Sequence, residues 1–505
     1  MKEIFIFSDK KTFLFSFLLA NLFLASFYID IWCTPNSVSR ALPVLTLFEE
    51  GTLRIDKYRN TTSDKSKVGE HYYSDKAPLP TLAAVPFYWL VKKAGLAQTT
   101  AATGRKYPVH IWEAINPHAD GRQTMIPEFV PLLFTGSLIF GSIPFAIMIF
   151  LTFKKIQDAR GSLSPVLLVM MSFYGSFMFV FAGTYFNHIL SAFLLLIGYI
   201  LIRDERYFWS GFSVGMAFLS EYTIAIAMPL WALVIWLREK TFKKLFPFGL
   251  GALPWLLFII LYNYSINGHP FKMLNAYHDT EIFRKELSNN YGFSLPSLAS
   301  LWGLSFSFYM GLLPHMPVLL LCGYFLGKEM LNKYPFRNLT QNYLAMFSIP
   351  FFLMISSFFT WWGGWSYGPR YLVCLAAILV YEGLVYLSDK KVNALLFFAT
   401  TGFGFVSTWL AKVTLAYMVP DATTIHGPAP GSDSFKTYIL PQYRSGHFNA
   451  NNIFTLGFDG APATAAYLWL MLFAAVVYGF SVWHRKLSPA KQVRHGSQKR
   501  EKKVL

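Results

Sequence analysis

The sequence predicts an all-α polytopic membrane protein with about twelve membrane-spanning helices, and three observations support that class. The 505 residues are 54% hydrophobic and only 14% charged, whereas soluble domains carry roughly 25% charged residues. Apolar runs close to the roughly 20 residues that cross a hydrocarbon core recur along the whole chain. Lys and Arg gather in every second connection between those runs, which is the bias that marks cytoplasmic loops.

In chain order, clear spans are expected at 13–32, 128–153, 165–183, 245–262, 342–360, 371–387, 393–417 and 463–483, with shorter candidates at 187–202, 207–220, 223–237 and 314–328. The first run is longer than a signal-peptide core and no small-residue cleavage site follows it, so it is expected as a retained helix. Lys2, Lys10 and Lys11 precede that run, and Lys154, Lys155 and Arg160 follow the second. Arg203 and Arg206, then Arg238, Lys240, Lys243 and Lys244, then Lys328 and Lys333, then Lys390 and Lys391 continue the alternation. It implies one membrane domain over 1–483, a basic tail over 484–505 and both termini in the cytoplasm.

The net charge of +17 is therefore topological, and no nucleic-acid partner is expected. Membrane lipids are the expected neighbours, and the tail suits anionic headgroups. Cys33, Cys322 and Cys374 form neither a metal-ligand spacing nor a disulfide framework, so no metal and no cofactor is expected. The chain has no Gly-rich nucleotide loop and no paired Asp-x-Asp, which argues against a nucleotide-sugar enzyme.

Four polar segments fall on the expected outer face, at 33–127, 263–298, 361–370 and 418–462. The first is about 95 residues long, a length usually kept for function, and includes an amphipathic or re-entrant piece at 77–93. It holds Asn36, Arg40, Glu49, Glu50, Asp56, Asp64, Lys65, Glu70, His71, Asp75 and Lys76. In "GEHYYSDKAPLP" the Asp75–Lys76 pair stands just before an apolar dip. A cation there can meet a phosphate at headgroup depth, and a carboxylate beside it can accept a proton. Tyr72 and Tyr73 suit sugar stacking and the interfacial belt alike. The plainer alternative is an interfacial anchor with a local ion pair.

The order of a first apolar helix, a long loop, "EEGTLRIDKY" (49–58), "TTSDK" (61–65) and "HYYSDKAP" (71–78) resembles the membrane-embedded C-type glycosyltransferase superfamily. The nearest likeness is to its bacterial branch of protein O-mannosyltransferase and lipid A aminoarabinose transferase type. "YNYSINGHPF" (262–271) and "WWGGWSYGPRYL" (361–372) extend the likeness along the chain. The resemblance implies a bacterial inner-membrane enzyme with a long first periplasmic loop. Such an enzyme takes a sugar from a polyprenyl-phosphate-linked donor and moves it, with inversion, to a lipid, glycan or protein acceptor.

The resemblance also implies roles for residues. Relatives have a phosphate-contacting lysine where this chain has Lys76, and Arg370 and Arg40 join it as donor-phosphate candidates. A structural arginine snorkelling from a helix top is the alternative for Arg370. Gly363, Gly364 and Gly368 favour a loop of close backbone approach, and Trp361, Trp362, Trp365 and Tyr367 suit a sugar or prenyl site or an aromatic belt. Many relatives carry an acid about fifteen positions before the glycine of the "EEG" turn, but here Asn36 and Ser37 stand there. An amide cannot take a proton, so the base passes to Asp75, then Asp64, then Asp30, while Asn36 orients substrate. His188 and Glu221 are further substrate-binding candidates, with helix capping as the plain alternative, and His269, Lys272, His278 and Asp279 are candidates for acceptor contact. Two rival classes remain: a transporter or lipid flippase, against which no internal repeat is seen, and an O-antigen-ligase-like transferase.

Overall fold

The structure is a computed structural model that describes residues 10–31, 34–95, 129–333, 342–364, 366–414, 432–458 and 460–487. Cys33, Trp365, the loop stretches 96–128 and 415–431 and the basic tail beyond 487 lie outside the described residues.

The chain is predominantly helical. Helix α1 (Lys10–Ser26) leads into a long connection that holds α2 (Pro35–Glu49), an antiparallel hairpin of β1 (Lys65–Val68) and β2 (His71–Ser74), and α3 (Leu79–Lys93). Helix α4 (Phe129–Gly136) runs through a π-helical turn, Ser137–Ser142, into α5 (Ile143–Ile156). There follow α6 (Pro165–Tyr174), α7 (His188–Arg203), α8 (Tyr207–Ser220), α9 (Ala227–Glu239) and α10 (Phe242–Asn267). After α11 (Glu281–Ser288) and α12 (Leu298–Phe306) come α13 (Val318–Lys333), α14 (Tyr343–Ser356), α15 (Val373–Leu387), α16 (Ala394–Val413) and α17 (Pro462–Leu487).

Helix starts carry the expected signals. Thr241, Asn342 and Asn393 accept backbone N–H groups from the first turns of α10, α14 and α16, satisfying donors that no preceding turn can reach. Gly268 at φ +73 closes α10, a position where glycine has no Cβ penalty.

Among the described residues six helical stretches are long and apolar enough to cross a bilayer: Val130–Ile156, Tyr222–Glu239, Phe242–Asn267, Arg370–Leu387, Ala394–Val413 and Pro462–Leu487. Four shorter apolar helices accompany them. Every stretch expected to span carries helix, yet several are shorter than expected. The first ends at Ser26 rather than 32, and the run expected at 165–183 breaks at Gly175. A Cβ at Gly175 would stand 3.0 Å from the Thr401 carbonyl oxygen, and Phe177 N–H turns aside to the His315 carbonyl at 3.0 Å. The apolar run continues while the helix does not.

Val130–Ile156 and Arg370–Leu387 are largely buried and form the centre, whereas α10 and α17 turn most of their length outward. Phe246, Leu250, Leu253, Leu257 and Leu261 are all exposed on α10, a face that suits a hydrocarbon solvent. The core is aromatic: Trp469 stacks on Phe179 at 4.9 Å and donates its Nε1–H to the Leu24 carbonyl at 3.0 Å, tying α17 to α1.

The basic helix ends meet on one side. Lys10 pairs with Asp158 at 3.6 Å, Arg203 with Glu382, and Gly161 N–H reaches the Ser388 carbonyl at 2.9 Å. The opposite ends of α7, α8 and α15 converge beneath the long connection.

Helices α8 and α10 cross with backbone against backbone. A Cβ at Gly211 would lie 2.0 Å from the Phe248 carbonyl oxygen, and one at Gly251 would lie 2.0 Å from that of Phe208. Small residues that admit such approach drive helix association in lipid. Gly211→Val is therefore expected to cost about 1–3 kcal/mol, read as a lower thermal midpoint in detergent. Gly249→Ala, on the partner helix α10 and with open space at its Cβ, should not lower the midpoint.

Candidate functional site

The hairpin is the piece that builds the site. Its strands pair Lys65 with Ser74 and Val68 with His71 around a two-residue turn, with Gly69 at φ +59 in a position that favours glycine. Extending that register by one step sets Asp64 across from Asp75. Two facing carboxylates would repel each other, but Lys76 follows at once and closes the gap. Its Nζ lies 2.7 Å from Asp64 Oδ2 and 2.9 Å from Asp75 Oδ2.

Helix α2 supplies the next wall. Asn36, Ser39 and Arg40 share one face by their i, i+3, i+4 spacing. The Ser39 hydroxyl donates to Asp75 Oδ1 at 3.1 Å. Arg40, only 2% exposed, donates Nη1–H to the Asn36 carbonyl at 2.8 Å and also reaches the side-chain oxygens of Asn36 and Asn187. Its Nε has no partner among the described residues. Burial lowers the guanidinium pKa to about 10, so it stays cationic at neutral pH.

The segment after α10 delivers His278. Ser66 bridges to it, Asp279 N–H donates to the Lys65 carbonyl at 2.9 Å, and the Ser66 hydroxyl donates to the Leu274 carbonyl at 2.6 Å. Thr280 N–H donates to His278 Nδ1 at 3.1 Å, which leaves Nε2 as the protonated nitrogen of the neutral ring. That Nε2 faces Asp75 Oδ2 at 3.9 Å.

Arg370 enters from the start of α15. Gly363, Gly364 and Gly368 all have positive φ, and a Cβ at Gly363 would stand 3.0 Å from Arg370 Cγ. The expected close backbone approach is thus onto the arginine itself. Its guanidinium lies 5.3 Å from the Tyr371 ring centre and 5.9 Å from that of Phe186, and its Nε has no partner among the described residues. His188 and Glu221, at facing ends of α7 and α8, pair at 3.1 Å.

These groups line one cavity of about 270 Å³, together with Asn187, Tyr222, Thr223, Asn275 and Tyr371. Phe283, Leu287, Ile355, Phe358 and Phe359 make it apolar on another side. Of the residues singled out in the sequence, Asn36, Arg40, Asp64, Asp75, Lys76, His188, Glu221 and Arg370 all line it.

Four others do not. Asp30 is buried, and its backbone N–H donates to the Gly183 carbonyl at 2.7 Å. Tyr72 turns its ring to Arg59, Lys65 and Lys67, at 5.6, 5.6 and 5.8 Å. Tyr73 is buried behind the hairpin, and Tyr367 packs edge-on against His315 at 4.7 Å. Asn187 and the phenylalanine wall were missed, although Asn187 immediately precedes His188. Among the described residues no group of three His, Cys, Asp or Glu side chains is placed to hold a metal ion.

Burial pushes the Asp64 carboxyl up, but the Lys76 ammonium, His278 and Arg370 draw it below its ordinary value. Burial pushes Lys76 down, while Asp64 and Asp75 carry it above its ordinary value. The stability from Asp64 is therefore complete above its unfolded pKa, near 3.9, and is lost as pH falls through the lower folded value. The stability from Lys76 is complete below about 10.4 and is lost as pH rises through the higher folded value. The gap in thermal midpoint between native chain and Lys76→Met is expected to be flat from about pH 5 to 9 and to shrink outside that window. Within it the substitution should cost roughly 2–3 kcal/mol, below the 3–5 of a fully buried pair, because Asp64 keeps 26% side-chain exposure.

Comparison with known proteins finds no family, no curated protein and no solved structure that matches this chain, so the cavity carries the functional reading.

Proposed function

We propose that this chain is an inverting glycosyltransferase of the bacterial inner membrane, with about twelve spans, that draws its sugar from a polyprenyl-phosphate donor. The observation that carries the reading is the pair Arg40 and Arg370: two guanidinium groups facing one cavity, neither held by a carboxylate among the described residues. Their forks suit phosphate oxygens. A sugar-linked phosphodiester carries one negative charge, and cleavage of its bond to the sugar adds a second to the departing phosphate. Fixed cations aimed at that oxygen favour the transition state over the ground state.

Lys76 has a further part beside the phosphate contact expected for it. Two of its three N–H donors serve Asp64 and Asp75, so it offers phosphate one remaining donor and chiefly fixes the hairpin. The apolar wall of Phe283, Leu287, Ile355, Phe358 and Phe359 suits the first isoprene unit of the donor. Site and resemblance agree on the outer side, because the cavity sits at the helix ends opposite the Lys- and Arg-rich ones, and the basic ends are expected inside.

Purified chain incubated in detergent with a pool of polyprenyl-phosphate sugars and membrane acceptors is expected to release free polyprenyl phosphate. Arg370→Ala and Arg40→Ala should each cut that release by about 10²–10³-fold, the scale of losing one fixed donor to a developing anion. Binding of polyprenyl phosphate without release from any donor would replace transfer with transport of the lipid.

A further inference from the structure

The cavity holds a histidine that phosphate binding does not use. His188 is only 3% exposed, and its Nδ1 lies 3.1 Å from Glu221 Oε2. The Ser191 hydroxyl donates to the same oxygen at 2.8 Å, and the Thr223 hydroxyl donates to Glu221 Oε1 at 3.4 Å. An ionised carboxylate only accepts, so Nδ1 carries the proton and Nε2 is left with its lone pair. That Nε2 is buried and has no hydrogen-bond partner among the described residues, on a side chain that lines the cavity. Buried polar atoms are nearly always paired, and an orphan at a cavity wall points to a partner supplied by a ligand.

The carboxylates first in line for the base are committed elsewhere. Asp64 is held by Lys76, and Asp75 by Lys76 and Ser39. We propose that His188, oriented by Glu221, is the base that takes the proton from the acceptor hydroxyl, an assignment that rests on the transfer reading above. In the step, the acceptor O–H proton passes to His188 Nε2 as the oxygen bonds to the anomeric carbon. The bond from that carbon to the phosphate oxygen breaks, and its electron pair leaves on the phosphate. Glu221 balances the imidazolium, which returns its proton to water once the products depart. Besides Glu221, the charged groups that face His188 are Arg370 and Arg40. The rings of Phe181, Phe186 and Tyr371 wall it at centre distances of 6.0, 6.1 and 6.0 Å, which keeps bulk water from the lone pair. Glu221 is a positioning residue in this scheme.

The test uses full-length chain in detergent with two readouts: release of polyprenyl phosphate from the pooled donors, and equilibrium binding of labelled polyprenyl phosphate. His188→Gln is expected to lower release by about 10²–10⁴-fold while lipid binding stays within about threefold of native. Glu221→Gln should keep lipid binding, slow release and move the acid limb of the pH–rate profile to lower pH, because a neighbouring carboxylate favours the imidazolium. Recovery of His188→Gly release by added imidazole would separate lost chemistry from lost folding. Native-like release by His188→Gln overturns the proposal alone. So does a parallel loss of release and lipid binding in His188→Gln together with no imidazole recovery of His188→Gly, which would make His188 a phosphate ligand. Lipid binding by the native chain without release overturns the transfer reading and this proposal together.

Discussion

The site depends on a single ammonium group. The hairpin register brings Asp64 and Asp75 face to face, an arrangement that repulsion would open if Lys76 did not sit between them. With Lys76 in place, the open end of the hairpin becomes a rigid three-charge knot. Ser39 of α2 and His278 of the segment after α10 attach to it. Segments some two hundred residues apart in sequence are thereby held at one wall. Two of the lysine's three donors are thereby taken, and the other two cations that face the cavity are arginines drawn from two other places in the chain.

That division of labour follows from residue chemistry. An ammonium on a flexible stem satisfies several acceptors at short range and makes a good clasp. A guanidinium keeps its charge when buried and presents a planar fork, so Arg40 can rest on neutral amide oxygens and Arg370 on aromatic faces while retaining donors for an anion. Glu221 likewise serves His188 and two hydroxyls. Each acid in the cavity has an assigned neighbour, and two arginines and one imidazole nitrogen are among the groups with spare capacity.

Much of this was legible in the sequence, and what was not has a physical cause. Composition and apolar runs gave the helices, because a bilayer demands long stretches without charge. Asn36, Arg40, Asp64, Asp75, Lys76, His188, Glu221, His278 and Arg370 line the cavity, since charged groups beside apolar segments are rare enough to stand out. The hairpin escaped notice because four-residue strands with charges on them carry little periodic signal. The roles of Tyr72 and Tyr367 escaped because an aromatic's direction is set by which face of its element is covered, and that is a tertiary fact. The two ion pairs of Lys76 were not legible, because its acids adjoin it only once the strands pair.

Helix α3 begins three residues after Lys76 and turns Phe87, Trp89 and Leu90 outward. An apolar face of that kind suits the plane of the headgroups, which on the proposed reading would set the clasp and the cavity at that depth. The proposed donor, with its isoprenoid tail, would then reach the arginines by lateral diffusion within the leaflet. For such a substrate the governing concentration is a surface density, its mole fraction among the lipids. Dilution with inert lipid or detergent would lower turnover even with every molecule still present in the tube.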